Sequence, residues 1–184
     1  VPTLFPATYH RAKCFAEIEA YDLAAQGFSE VLQIDRQNPD LYFQLGSVYV
    51  KQERYRDAVD NFRQAVQFKP TDPEYSYNLG AALYQQARTG LATGLGGAED
   101  FTEAIDYLDR AIDEQADYPE AFFERGRTKT ELGRFDSEQL DEGIEDLSKA
   151  VSLDSTNAEY LGTLGLAHLQ RGSQRAASRL KDAD

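Results

Sequence analysis

Few residues in this 184-residue chain could do covalent or acid–base chemistry. There are two histidines, His10 and His168, and one cysteine, Cys14. Neither histidine adjoins a plausible serine or cysteine nucleophile in the sequence, and a lone cysteine rules out an internal disulfide and a multi-cysteine metal site. Carboxylate pairs such as Glu142 and Asp146 stand one helical turn apart, a spacing that general acid–base catalysis can use, but no concave site encloses a substrate around them. The glycine-rich run Thr89-Gly90-Leu91-Ala92-Thr93-Gly94-Leu95-Gly96-Gly97 has the composition of a phosphate cradle. It lacks the Lys-Ser/Thr ending of one and follows no strand, so it is expected to be a flexible loop between two helices. The chain is therefore not expected to be an enzyme, and no cofactor or metal is expected.

Charge narrows the ligand classes further. With 32 acidic against 19 basic residues the net charge is −13, which repels nucleic acid and anionic membrane surfaces, so neither is expected as a partner. A hydrophobic content of 41% is too high for a disordered tail. No apolar run approaches the roughly 20 residues needed to cross a bilayer, and no charged-then-apolar leader opens the chain. A soluble, cytoplasmic chain is the expectation, with the compartment left open. Because it begins at Val1 rather than Met, the chain reads as a processed form or an excised piece of something larger.

Laying the chain on itself reveals what must position any functional side chain. Leu45-Gly46 is followed by Tyr49, Tyr55, Ala58, Phe62, Ala65 and Pro70, and a shift of 34 residues brings Leu79-Gly80 under Leu45-Gly46. Shifting backward puts Phe15, Tyr21, Ala24, Phe28 and Val31 in the same register, with Ala12 at the glycine place. Arg125-Gly126 and Leu164-Gly165 restart the motif. The units are 5–38, 39–72, 73–118 with a 12-residue insertion, 119–157 with a 5-residue insertion, and a truncated 158–184. Within each, Gly46 and Ala58 (and their counterparts) allow two helices to approach, and Tyr49 and Phe62 fill the space beside them. Asn38-Pro39 and Asp72-Pro73 mark helix starts, the polar side chain capping and Pro fitting the first turn. Asp136 or Ser137 is the expected cap after the Phe135–Gln139 insertion. The pattern predicts helices at 6–19, 22–34, 39–52, 55–68, 73–88, 99–114, 119–132, 138–153, 158–171 and 173–182. In this register Cys14 shares its place with Val48, Ala82 and Ala167, so an inert buried thiol is expected. His168 falls with Phe15 and Tyr49, as a packing residue.

This spacing resembles the tetratricopeptide repeat, which residues 39–72 match almost throughout, with Ser76 and Thr8 replacing a usual aromatic and Arg125 replacing the leucine before Gly126. The resemblance covers essentially the whole chain. It implies an all-α fold, a right-handed α-solenoid of stacked antiparallel helical hairpins, and a protein–protein interaction module that binds a partner peptide or helix in its concave groove. In that family the first helix of each hairpin lines the groove. The corresponding aromatic column here is Tyr9, Phe43, Tyr77 and Phe123, ending at Gly162, with Lys13, Lys51 and Arg127 flanking it and Ser47, Ala81 and Tyr84 completing the lining. Tyr42 and Phe122 are assigned to buried packing. One branch of the family grips chaperone C-terminal carboxylates with Lys, Asn and Arg, but Tyr9, Phe43 and Glu74 stand where a base or amide would be needed. Asp40, Glu74, Glu120 and Glu159 lie in first helical turns, where the helix dipole favours carboxylates whatever the ligand. The alternatives are a structural or oligomerisation segment, or the regulatory arm of a larger protein. Arrays of this kind usually end in a polar helix, which is missing here, so self-association through the uncapped C-terminal end is also open.

Overall fold

The computed structural model describes residues 4–94, 98–134 and 136–181, the side chains of 4, 5, 98–100 and 181 excepted. Among the described residues all regular structure is helical: α1 (Leu4–Glu17), α2 (Tyr21–Leu32), α3 (Pro39–Lys51), α4 (Tyr55–Phe68), α5 (Pro73–Thr93), α6 (Ala98–Glu114), α7 (Pro119–Leu132), α8 (Ser137–Leu153) and α9 (Ala158–Lys181). Each helix packs on its neighbours in chain order, α1 on α2, α2 on α3 and so on to α9. The result is an all-α solenoid of successive hairpins.

Local chemistry sets the helix starts. Asn38 Oδ1 accepts from the Asp40 amide at 3.1 Å, Asp72 Oδ1 from the Glu74 amide at 3.0 Å, and Asp136 Oδ1 from the Glu138 amide at 2.9 Å. Asn157 does the same for α9, accepting from the Glu159 amide at 3.0 Å. Each cap satisfies an amide that would otherwise lack an intrahelical partner. The α1–α2 and α3–α4 turns are made differently: Glu19 (φ 61°) and Glu53 (φ 57°), 34 residues apart, both take the left-handed conformation, which reverses the chain within a few residues.

The core follows the small-against-large pattern. A Cβ on Gly46 would sit 2.7 Å from the Phe62 ring, and one on Gly80 would sit 2.7 Å from Leu108. The glycines thus let α3 approach α4 and α5 approach α6. Phe28, Phe62, Leu108 and Leu147 are fully buried in these contacts, each side chain contributing about 1.5–3 kcal/mol of burial.

Four expectations change. The insertion within unit three is helical as far as Thr93, because Gly90 and its neighbours continue α5 for five residues past the expected end, and Gly94 (φ 73°) closes it; Leu95, Gly96 and Gly97 lie outside the described residues, as does Phe135. In the last unit one helix of 24 residues runs through Gly172, where two short helices were expected. Cys14 is exposed rather than buried. His168 is exposed too, its Nδ1 lying 3.0 Å from Arg171 Nη2.

Candidate partner-binding groove

Odd- and even-numbered helices play different parts. α5 touches α7, and α7 touches α9, across the intervening even-numbered helix. First helices therefore crowd together on the inside of a curved stack, where their side chains share one wall. Two recesses open on it. One of about 200 Å³ is lined by Val50 of α3 and Tyr77, Asn78, Ala81, Ala82 and Gln85 of α5. The other, about 370 Å³, includes Tyr84 and Arg88 of α5, Arg127 and Thr130 of α7, Arg134 just beyond α7, and Leu166 and Gln170 of α9.

The expected column is only partly open. Tyr9 is half-buried, edge-on to Phe28 with centroids 5.9 Å apart, and exposed Lys13 holds its Nζ 5.9 Å from the Tyr9 ring. Phe43 is half-buried between Tyr75 (5.0 Å) and Phe62 (5.6 Å). Tyr77 is half-buried beside Tyr118 (5.1 Å), and burial, followed by nearby Glu124, pushes its phenol well above the usual range. Phe123 is only 5% exposed, stacked 4.6 Å from Tyr160, and Tyr84 is 2% exposed. Tyr42 and Phe122 are half-buried and pack against the core, Tyr42 stacked on Phe68, while Phe43, Tyr75, Phe123 and Tyr160 form the ring contacts that bridge one hairpin to the next. Ser47 donates its hydroxyl to the Phe43 carbonyl (2.9 Å), Ala81 is half-buried in the first recess, and Lys51 is exposed at the end of α3.

Arg127 is the polar centre of the second recess. Its guanidinium lies 4.3 Å from the Tyr84 ring centroid and 5.4 Å from that of Phe123, and Nη2 pairs with Glu124 at 2.5 Å. Burial raises the Glu124 pKa above its ordinary 4.5, while Arg127 works against that shift. Arg88 also approaches the Tyr84 ring, at 5.6 Å from its centroid. The structure therefore gathers Tyr84, Phe123 and Arg127 into one cluster and leaves Tyr9 and Lys13 at the far end of the wall. Sequence reasoning missed Glu124, Arg88 and Gln170. Arg88 could have been found, since it follows Tyr84 by one helical turn; the burial of Glu124 leaves no trace in the spacing.

Residues 46–86 match a family described as "TPR repeat" and residues 89–138 one described as "Tetratricopeptide repeat". The chain is built of tetratricopeptide repeats. Its fold is shared with a crystal structure of MamA protein (22% identity, 97% of this chain and 88% of that one, TM-score 0.77). It is also shared with "MamA 41-end" from Desulfovibrio magneticus RS-1 (19%, 95% and 89%, TM-score 0.78). A third solved structure, YrrB, described as "a TPR protein with an unusual peptide-binding site", agrees at 22% identity, 90% and 76% coverage and TM-score 0.69. At such identities the likeness is one of fold. No curated protein sequence matches the chain. Tetratricopeptide repeats generally mediate protein–protein interaction. Among the described residues no helix is long and apolar enough to cross a membrane.

Proposed function

We propose that this tetratricopeptide-repeat protein is an adaptor or scaffold that holds a peptide or helix of another protein along the wall made by α3, α5, α7 and α9. The observation that carries the reading is the pair of recesses built from first helices and Arg134 just beyond α7, with half-open Tyr77 in one and the Tyr84 ring beside Arg88 and Arg127 in the other. Rings already half covered yield less than the ~1.5–3 kcal/mol of a fully exposed side chain. Phe43 and Tyr77 therefore shape the groove, and polar contacts to Lys51, Asn78, Gln85 and Arg127 carry more of the selectivity. Phe123 and Tyr84 support the wall from behind.

The test uses a variant that blocks the groove without touching the core. Ala81→Arg places a long side chain in the first recess, and Asp106→Arg, at an exposed position of α6, is its control. A partner captured from native lysate by the intact chain and by Asp106→Arg, but lost by an Ala81→Arg protein of unchanged helical content, supports the groove. Equal capture by all three moves the binding surface elsewhere.

A further inference from the structure

The second recess runs against the charge of the chain. Acidic residues outnumber basic ones by 32 to 19, yet the lining of this recess includes Arg88, Arg127 and Arg134 against a single carboxylate, Glu131. Arg134 is taken up by Glu131 at 2.9 Å, and Arg127 gives Nη2 to Glu124. What is left is cationic. Among the described residues Arg88 has no carboxylate partner and is exposed, while Arg127 Nε is buried with no hydrogen-bond partner and Nη1 makes no bond.

The fold holds these two arginines together from elements inside the array. Arg88 follows Tyr84 by one turn of α5, Arg127 stands on α7, and both helices are packed by the helix before and the helix after them. Both guanidinium groups approach the one Tyr84 ring, at 5.6 and 4.3 Å from its centroid, and Tyr84 is itself buried, so the support is fixed. An aromatic face holds a guanidinium by its plane and leaves the in-plane N–H donors free, and that planar fork matches a carboxylate. Two like charges beside one ring also repel each other, and an anion between them removes the repulsion. The first recess differs: Val50, Tyr77, Asn78, Ala81, Ala82 and Gln85 bring no charged side chain to it.

We propose that the second recess receives an aspartate or glutamate side chain of the bound segment, its carboxylate lodged between Arg88 and Arg127, while uncharged residues of the same segment occupy the first recess. This rests on the groove reading and adds the chemistry of the ligand to it. The recess reaches across α5, α7 and α9, so a segment lying along the wall passes through it, and the acid is a side chain within that segment rather than its end. The net charge of −13 limits how acidic the ligand can be. A run of acids is repelled by the surface at large, whereas one carboxylate in contact with two guanidinium groups is governed by them, charges beyond a Debye length of about 8–10 Å being screened.

The test selects, on the intact chain, from a library of random segments joined at both ends to a carrier protein, so that no terminal carboxylate is offered; a second library ends in free C-termini. The expected result in the first library is an Asp or Glu at one fixed position among uncharged residues. The selected segments should bind at least tenfold more weakly to Arg88→Gln and to Arg127→Gln of unchanged helical content, and should be lost with Ala81→Arg. Arg110→Gln, which removes the same charge from an exposed position of α6, should leave them bound. Arg88→Glu should favour the segment with Lys in place of the acid. Segments that are lost with Ala81→Arg but show no acid preference overturn the proposal and leave the groove standing. If no selected segment depends on Ala81→Arg, the groove reading falls and the proposal with it. Equal weakening by Arg110→Gln overturns it as well, since net charge alone then explains the effect. So does an Arg88-dependent acid found only in the library of free C-termini, because the recess then reads chain ends.

Discussion

The α7–α8 hairpin and α9 begin from the same motif and end differently. Arg125-Gly126 and Leu164-Gly165 occupy one register, but Gly126 is pressed against Gly143 and Leu147 of α8, whereas Gly165 faces empty space. Arg125, the residue that departs from the leucine of the motif, is tied into α8 and α6. It gives Nε and Nη2 to the Asp146 carboxylate (2.8 and 2.5 Å) and Nη1 to Asp109 (2.6 Å), and Lys129 approaches Asp146 at 3.4 Å. Burial opposes the Arg125 charge, and the two aspartates more than restore it, so its pKa rises. Identical repeat positions thus gain their energetic meaning from what the next helix brings, as expected where stability is a sum over neighbours.

Mutations should separate the two regions. The largest effect belongs to Arg125→Ala, which strands the nearly buried Asp146 carboxylate with only Lys129; a loss of about 3 kcal/mol in urea unfolding is expected, below the upper range for a broken buried pair. Arg125→Leu together with Asp146→Leu should recover most of it. Gly126→Ala comes next. The backbone atoms it would strike cannot rotate away, and a cost of about 1–3 kcal/mol should follow. Gly165→Ala reverses the sign: a Cβ there meets nothing within 4 Å, so nothing opposes the helix preference of alanine, and a gain of up to about 1 kcal/mol is expected. If Gly126→Ala and Gly165→Ala shift the unfolding midpoint alike, the contrast between closed and open glycine is lost.

The smallest effect is a pH dependence. Burial raises the folded-state pKa of Glu124 above its ordinary 4.5, so the folded protein holds this proton more tightly than the unfolded chain. Its ionisation therefore subtracts stability as pH rises from about the ordinary value through the folded one. The stability of Glu124→Gln relative to the intact chain should increase over that interval, read from unfolding midpoints at several pH values. A constant difference would mean that Arg127 cancels the burial cost.

Much of this was legible in the sequence. Asn38-Pro39, Asp72-Pro73 and the Leu-Gly register placed α2, α3, α4, α6, α7 and α8 to within two residues, because capping and close approach are local requirements written in residue type. The ends were less legible. Cys14 and His168 occupy positions that bury a side chain only when a neighbouring helix covers them, and the repeat register assumes that helix. The groove was legible as a column and not as a surface: whether Phe43 or Tyr42 turns to the next hairpin depends on Tyr75 across the interface. Gly90 and Gly172 continue helices where isolated glycines read as breaks.

The central claim, that the inner wall of first helices receives the partner, is tested most directly by amide hydrogen exchange of the intact chain with and without its captured partner. Binding in the groove predicts new protection in α3, α5 and α7, with α4, α6 and α8 unchanged. Protection confined to the even-numbered helices would contradict it.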